Sequence, residues 1–117
     1  MRSALIIDDD PDMSGLLRAV LETHGFEVEA FADGIHALDL ERNYDVILLD
    51  LRMPVFDGER LTDYWQLTRP QILKRVILLS GYSRSVESLS LPTFATLRKP
   101  FDLQELMQVV IDCVAQD

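Results

Sequence analysis

Cysteine is nearly absent from the sequence, with Cys113 the only one among 117 residues. A single cysteine excludes an internal disulfide and fits a reducing compartment. It falls on an apolar helical face, which predicts a buried small hydrophobe rather than a reactive thiol. No apolar run approaches the roughly 20 residues of a membrane span, and the N-terminus becomes acidic too early for a secretory signal. These absences predict a cytoplasmic protein that does not enter a membrane.

Positive charge is also scarce, because 11 Lys and Arg residues stand against 20 Asp and Glu residues, for a net charge of −9. That sign is wrong for binding a phosphate backbone, so no direct contact with nucleic acid is expected. Glycine and proline number only five each, and 48% of the residues are hydrophobic, which favours a folded core over low complexity. With no internal repeat or linker, residues 1–117 are expected to form one domain.

Short apolar runs alternate with helical patterns along the whole chain. Asp10 before Pro11, and Asp102 with Glu105 three residues later, are signals for the start of a helix. The alternation predicts an α/β fold with a doubly wound parallel sheet, in which right-handed crossovers place the first and third strands side by side. The predicted strands are residues 4–7, 26–30, 44–50, 75–79 and 94–97. The predicted helices are residues 11–24, 35–42, 58–68 and the stretch from 103 onward. Residues 82–92 are predicted to form one short helix or a loop.

Polar residues follow the predicted strands at one edge of the sheet. Asp8 and Asp9 follow the first strand, Asp50 ends the third, and Ser80 and Lys99 follow the next two. Because open α/β sheets bind ligands at the carboxyl ends of their strands, these groups are predicted to meet in one cleft. Clustered carboxylates repel each other unless a cation joins them, and oxygen ligands favour Mg²⁺, with Mn²⁺ as the alternative.

An aspartate beside such an ion can accept a phosphoryl group, because the metal and a lysine stabilise charge on the transferring oxygens. In this interpretation Asp50 is phosphorylated, while Ser80 and Lys99 contact the phosphoryl oxygens. The alternative is that the acids at 8–10 are only helix caps and surface charge. Four strand ends with matching chemistry argue against that coincidence.

Four motifs carry a resemblance to a known family: IIDDD (6–10), ILLDLRMPVFDG (47–58), LLSGY (78–82) and RKPF (98–101). In this order they resemble the receiver domain of two-component response regulators, of the chemotaxis-regulator type, over essentially the whole chain. The resemblance implies a flavodoxin-like (βα)₅ fold with strand order 2-1-3-4-5. Only 19 positions lead from Ser80 to Lys99, and this short spacing predicts a short or irregular fourth helix. In this respect the chain more loosely resembles receivers attached to hybrid histidine kinases.

The resemblance also implies a function. A histidine kinase or a histidine phosphotransfer protein would transfer a phosphoryl group to Asp50 in a Mg²⁺-dependent reaction. The resulting change of conformation would regulate a downstream protein or an attached output domain. Such a domain is a signalling module and not an enzyme, since it catalyses only its own phosphotransfer and dephosphorylation. Pairing into a homodimer is left open.

Roles for individual residues follow from their positions in the motifs. Asp9 and Asp50 are implied as direct metal ligands, Asp8 as a ligand mainly through water, and Arg52 as a ligand through its backbone carbonyl. Lys99 matches the lysine that pairs with the phosphate. Other implied positions are Ser80 as the hydroxyl residue, Met53 and Pro54 in the loop after the phosphorylation site, and Gly58 in the turn into the third helix.

The expected conformational switch departs from the family pattern. Thr96 stands where an aromatic side chain usually lies, so the aromatic switch is predicted to be missing, and strand alternation puts Phe94 on the same face as Thr96. Signalling is therefore predicted to order residues 81–92 as Ser80 moves toward the phosphoryl group. Arg52 and Tyr82 are expected to flank the phosphoryl group and tune its lifetime.

Two rival functions remain on the sequence alone. A haloacid-dehalogenase-like phosphatase would need an acid two residues after the nucleophile, where this chain has Arg52. A pseudo-receiver, which binds proteins without phosphotransfer, would normally have lost an acid, the hydroxyl or the lysine. All of these groups are present here.

Overall fold

Five parallel strands form one sheet in this protein. The computed structural model describes residues 1–53, 56–81 and 92–116. The strand order is second, first, third, fourth, fifth, as predicted, so the first and third strands pair side by side at the centre. The strands are β1 (Ser3–Ile7), β2 (Glu27–Phe31), β3 (Val46–Asp50), β4 (Val76–Ser80) and β5 (Ala95–Arg98).

The helices begin where the sequence places capping residues. Asp10 caps α1 (Pro11–Thr23) by accepting hydrogen bonds from the backbone N–H groups of the first turn. Asp57 caps α2 (Gly58–Thr68) and Asp102 caps α3 (Leu103–Ala115) in the same way. Two 3₁₀ segments, Ile35–Ala37 and Pro70–Arg75, complete the helical elements of the described residues, and no helix among them is long and apolar enough to span a bilayer.

The sheet is covered on both faces, which explains why β1, β3 and β4 are apolar and buried along their whole length. On one face, α1 and α3 pack through residues such as Leu17 and Val110. On the other, α2 packs through Leu61 and Trp65. Cys113 is buried in the first of these cores, as predicted, and burial raises the pKa of its thiol. The two cores hold the strand ends rigidly in register.

The helix predicted over residues 35–42 is wrong, because the structure has only the 3₁₀ turn Ile35–Ala37 there. Helical spacing in that stretch predicts that Ile35 points inward, but it is 48% exposed, while Ala37 is buried. Side chains of the next helical region satisfy the backbone instead of helical hydrogen bonds. The indole Nε1 of Trp65 donates to the carbonyl of Ala37 (3.1 Å), and the guanidinium of Arg69 donates to that of Leu40 (2.6 Å).

Three smaller expectations also change. In the helix predicted over residues 11–24, the helical spacing of the apolar residues predicts that Leu16 points inward, but it is 46% exposed. Phe94 lies before β5, so strand alternation does not apply to it, and it packs in the core that contains Leu97. Thr96 does not lie on the same face of the sheet as Phe94, contrary to the prediction from alternation. It pairs with Leu78, whose side chain packs in the core on the face opposite to Phe94. The predictions for a fourth helix and for ordering of residues 81–92 concern residues 82–91, which lie outside the described part of the chain.

Candidate functional site

The acids at the carboxyl edge of the sheet converge as predicted. β1 and β3 are neighbours, with Ile7 paired to Leu49, so the residues that follow them emerge side by side. One carboxylate oxygen from each of Asp8, Asp9 and Asp50 lies within 4.8 Å of the other two. Asp8 and Asp50 are buried, whereas Asp9 is exposed. This geometry brings three oxygen ligands to the open end of one cleft.

The two oxygens of the Asp8 carboxylate differ in their hydrogen bonding. Its Oδ1 accepts a hydrogen bond from the backbone N–H of Asp10 (2.9 Å), in the turn that leads into α1. Its Oδ2 is buried and has no hydrogen-bond partner among the described residues. A buried carboxylate oxygen without a partner is costly unless a cation satisfies it. The residues present therefore fit a hard divalent cation such as Mg²⁺ at this site.

Asp50 is the buried carboxylate at the end of β3. Its Oδ1 accepts a hydrogen bond from the backbone N–H of Arg52 (3.1 Å). The pKa of Asp50 is raised to about 6, chiefly by burial and also by the neighbouring charge of Asp8, while the Arg52 N–H and Lys99 act in the opposite direction. A carboxylate in this state is mostly ionised at neutral pH, yet it is poorly compensated by the protein alone.

Lys99 and Ser80 complete the cleft on the side of β4 and β5. The ammonium nitrogen of Lys99 lies 3.7 Å from Oδ2 of Asp8 and 3.7 Å from Oδ1 of Asp50. Ser80 is fully buried, and its hydroxyl donates to the carbonyl of Gly81 (3.3 Å). The backbone N–H of Lys99 donates to the carbonyl of Ser80, which ties the ends of β4 and β5 together. One cation and one hydroxyl thus adjoin the acidic cluster.

The remaining predicted site residues are placed less directly. Arg52 is exposed and reaches Asp50 through its backbone N–H, so the role of its carbonyl as a metal ligand stays a prediction. Thr96 lies exposed on β5, three residues before Lys99. Tyr82 lies outside the described residues, so its role in tuning the site stays a prediction as well.

Gly58 has a tighter role than the sequence indicated. A Cβ atom at this position would lie 2.8 Å from the carbonyl oxygen of Asp50 and 2.9 Å from Cα of Leu51. The N–H of Gly58 donates to the carbonyl of Leu51 (3.1 Å). The start of α2 therefore packs directly on the backbone that carries Asp50, and only glycine allows that approach.

The family is settled by comparison with known proteins. The model of the response regulator receiver domain family matches residues 4–111. The chain is a response regulator receiver domain. Its five-stranded sheet, with the order found above, is the fold of that family.

Relatives of this receiver domain include longer proteins. It is 33% identical over 111 residues to the regulatory protein AtoC of Escherichia coli strain K12, in an alignment that covers 91% of this chain and 24% of AtoC. The receiver domain thus spans about a quarter of the length of that curated relative. The similarity is therefore to one part of AtoC, and not to the whole protein.

Two solved structures show the same fold with magnesium present. The receiver domain of the sensor histidine kinase PA1611 from Pseudomonas aeruginosa PAO1 superposes with a TM-score of 0.87 at 28% identity, covers 98% of each chain and has a magnesium ion coordinated in its active site cleft. The response regulator TrrA from Thermotoga maritima, in complex with Mg²⁺-BeF, has a TM-score of 0.86 at 28% identity and covers 97% of this receiver domain and 99% of that chain.

Proposed function

We propose that Asp50 accepts a phosphoryl group from the phosphohistidine of a histidine kinase or histidine phosphotransfer protein, in a reaction that requires Mg²⁺. The observation that carries this proposal is the convergence of the carboxylates of Asp8, Asp9 and Asp50, with the ammonium of Lys99 at 3.7 Å from two of them. The magnesium ion in the receiver domain of PA1611 supports a metal at the equivalent cleft.

Asp50 is suited to act as the nucleophile. With a pKa of about 6, its carboxylate is ionised in roughly ten of eleven molecules at neutral pH. An oxygen of Asp50 attacks the phosphorus atom, the bond from phosphorus to the imidazole nitrogen of the donor breaks, and that nitrogen keeps the electron pair. The product is an aspartyl phosphate. A donor ring that carries a proton on its other nitrogen leaves as neutral imidazole, and a ring without that proton takes one up from water as it leaves.

The other groups of the cleft handle negative charge. Asp8, Asp9 and Asp50 would hold Mg²⁺, which supplies electrostatic stabilisation of the transferring phosphoryl oxygens when bound. The ammonium of Lys99 lies where it can pair with one phosphoryl oxygen. The hydroxyl of Ser80 can rotate from the carbonyl of Gly81 to donate to another. Mn²⁺ carries the same preference for oxygen ligands and is expected to substitute.

We infer that the domain acts as a signalling module that passes its phosphorylation state to a downstream protein or an attached output domain. In this proposal it turns over no substrate beyond its own phosphotransfer and dephosphorylation. The acidic composition supports a protein partner over nucleic acid. Pairing into a homodimer and a cytoplasmic location stay predictions.

The test is phosphorylation by acetyl phosphate, followed by mass spectrometry of the intact protein. With Mg²⁺ the wild type is expected to gain one phosphoryl group, and chelation by EDTA or the substitution Asp50→Ala abolishes the gain. A folded wild type that gains no phosphoryl group would contradict the proposal and favour a pseudo-receiver. Many turnovers on an alkyl phosphate monoester, whose leaving group is far poorer than acetate or imidazole, would instead favour the phosphatase alternative.

A further inference from the structure

Gly34, in the turn after β2, touches the loop that follows the phosphorylation site. A Cβ atom on Gly34 would lie 2.6 Å from the carbonyl oxygen of Phe56, 3.0 Å from Cδ2 of its ring and 3.6 Å from Cε of Met53. The first of these contacts is to backbone, which cannot rotate away as the end of a side chain can. Any larger residue at 34 must therefore displace one of the two segments.

The backbone conformation of Gly34 does not itself require glycine. Its φ of −77° and ψ of −19° lie in the right-handed helical region, which every residue adopts readily. At such a position, alanine would ordinarily be favourable, because it restricts the unfolded chain. The close approach of the Phe56 carbonyl is thus the feature that makes glycine necessary here.

The segment after Gly34 is anchored, so the Phe56 side is expected to yield. The carbonyl of Ala37 accepts from the buried indole of Trp65 (3.1 Å), and the carboxylate of Asp39 accepts from the hydroxyl of Tyr64 (3.0 Å). Phe56 lies instead in irregular backbone between β3 and α2, with a partly exposed side chain. A side chain at 34 would therefore push the loop more than the turn.

That loop is in direct contact with the phosphorylation site. The backbone N–H of Arg52 donates to Oδ1 of Asp50 (3.1 Å), and the next residue, Met53, is buried against the turn at Gly34. The hydrogen bond from Gly58 to Leu51 ties the residues just after Phe56 to the residue just before Arg52. Displacement of Phe56 is thereby transmitted to the N–H that orients the Asp50 carboxylate.

We propose that Gly34 is a positioning residue, which lets the turn after β2 hold the loop after β3 in the conformation that orients Asp50 toward a divalent cation. The inference rests on the proposed Mg²⁺-dependent function of the site. The contact comes from the turn after β2, which lies on the other side of β1 from β3. None of the four motifs that carry the family resemblance includes residue 34.

The test compares Gly34→Ala with Gly15→Ala, a matched control on the exposed face of α1 where a Cβ would meet nothing within 4 Å. Mg²⁺ affinity is measured by calorimetry, and the melting temperature is measured with and without Mg²⁺. Gly34→Ala is expected to raise the Mg²⁺ dissociation constant by about tenfold, as is common when the orientation of a ligand is lost. Its Mg²⁺-dependent gain in melting temperature shrinks accordingly. Gly15→Ala keeps the wild-type Mg²⁺ affinity and the wild-type gain, although alanine in a helix raises the melting temperature itself.

If Gly34 has a purely structural role, Gly34→Ala lowers the melting temperature equally with and without Mg²⁺ and leaves the Mg²⁺ affinity unchanged. That result in folded Gly34→Ala overturns the inference. If Gly34→Ala does not fold, Phe56→Ala decides, because it removes the partly exposed ring that packs against the turn at Gly34 and leaves the backbone of the loop unchanged. Weakened Mg²⁺ binding in this variant supports the inference, and wild-type binding overturns it.

The wild-type arm separates this inference from the proposed function. A wild type that binds Mg²⁺ and accepts a phosphoryl group, beside a Gly34→Ala variant of unchanged affinity, removes only the positioning role. A wild type that neither binds Mg²⁺ nor accepts a phosphoryl group removes both proposals together.

Discussion

The ammonium nitrogen of Lys99 lies 3.7 Å from Oδ1 of Asp50. This contact spans β4 and joins the end of β5 to the end of β3. The same nitrogen is 3.7 Å from Asp8, so one positive charge serves two buried carboxylates. The site therefore keeps excess negative charge, and a divalent cation would balance it. Several consequences of this imbalance can be measured.

The first concerns stability in the absence of divalent cations. Burial raises the pKa of Asp50 from 3.8 to about 6. A carboxyl group whose pKa is raised by folding contributes stability that is complete below the unfolded value and is lost as the pH rises through about 6. The substitution Asp50→Asn removes that loss, so it is expected to stabilise the protein at neutral pH by on the order of 2 kcal/mol.

The measurement is urea unfolding in EDTA, followed by circular dichroism at neutral pH and at about pH 4, close to the ordinary carboxyl pKa. The advantage of Asp50→Asn should be much smaller at the lower pH, where the wild-type carboxyl group is protonated in the folded state and about half protonated in the unfolded state. An advantage of the same size at both pH values would show that ionisation of Asp50 is not its cause.

The second prediction concerns Mg²⁺ and protons, which compete for the same carboxylates. Saturating Mg²⁺ is expected to raise the stability of the wild type, by about 2.7 kcal/mol at a concentration one hundred times the dissociation constant. Because a proton on Asp50 blocks a ligand, Mg²⁺ affinity should fall as the pH drops through about 6. Calorimetric titration across this range tests it, and an affinity that does not change with pH would contradict it.

The third prediction separates the local role of the Lys99 ammonium from the effect of the protein's net charge. Lys99→Met keeps the length of the side chain but removes the cation beside the transferring phosphoryl group. The rate of phosphorylation by acetyl phosphate should fall by about 10²-fold or more, as for other lost stabilisers of transition-state charge. Mg²⁺ binding should be kept or strengthened, because a competing cation is gone.

Lys74→Met is the matched control for that experiment. Lys74 is exposed two residues before the start of β4, at the opposite edge of the sheet from the site. The control changes net charge by the same amount and is expected to leave the phosphorylation rate unchanged. An equal loss of rate in both variants would assign the effect to overall charge.

The sheet and its acidic edge were predictable because both follow from local patterns. Short apolar runs bounded by turn signals, such as residues 46–49, indicate buried strands, and the polar residue that ends each run marks the carboxyl edge. Parallel pairing then forces Asp8 and Asp50 together regardless of the loops between them. Neither step needs knowledge of how distant side chains pack.

The errors occur where tertiary contacts override local preference. The predicted helix over residues 35–42 is replaced because Trp65 and Arg69 bind its carbonyl groups. Phe94 was assigned to a face by alternation, although the strand begins one residue later. The contact between Gly34 and Phe56 joins residues 22 positions apart in sequence, and no local signal reports it. Long-range packing of this kind is beyond a reading of periodicity.

The fourth prediction tests that override at Trp65, whose buried indole donates to the carbonyl of Ala37 (3.1 Å). Trp65→Phe removes the donor and leaves the carbonyl without its partner. The free energy of unfolding is expected to fall by about 1–3 kcal/mol for the lost hydrogen bond, and the smaller ring adds to that loss. Thr68→Ala, which removes an exposed hydroxyl from the same helix, is the control and should cost much less. Urea unfolding must be followed by circular dichroism, because Trp65 is the single tryptophan. Equal stabilities of the two variants would mean that the 3₁₀ segment does not depend on the indole.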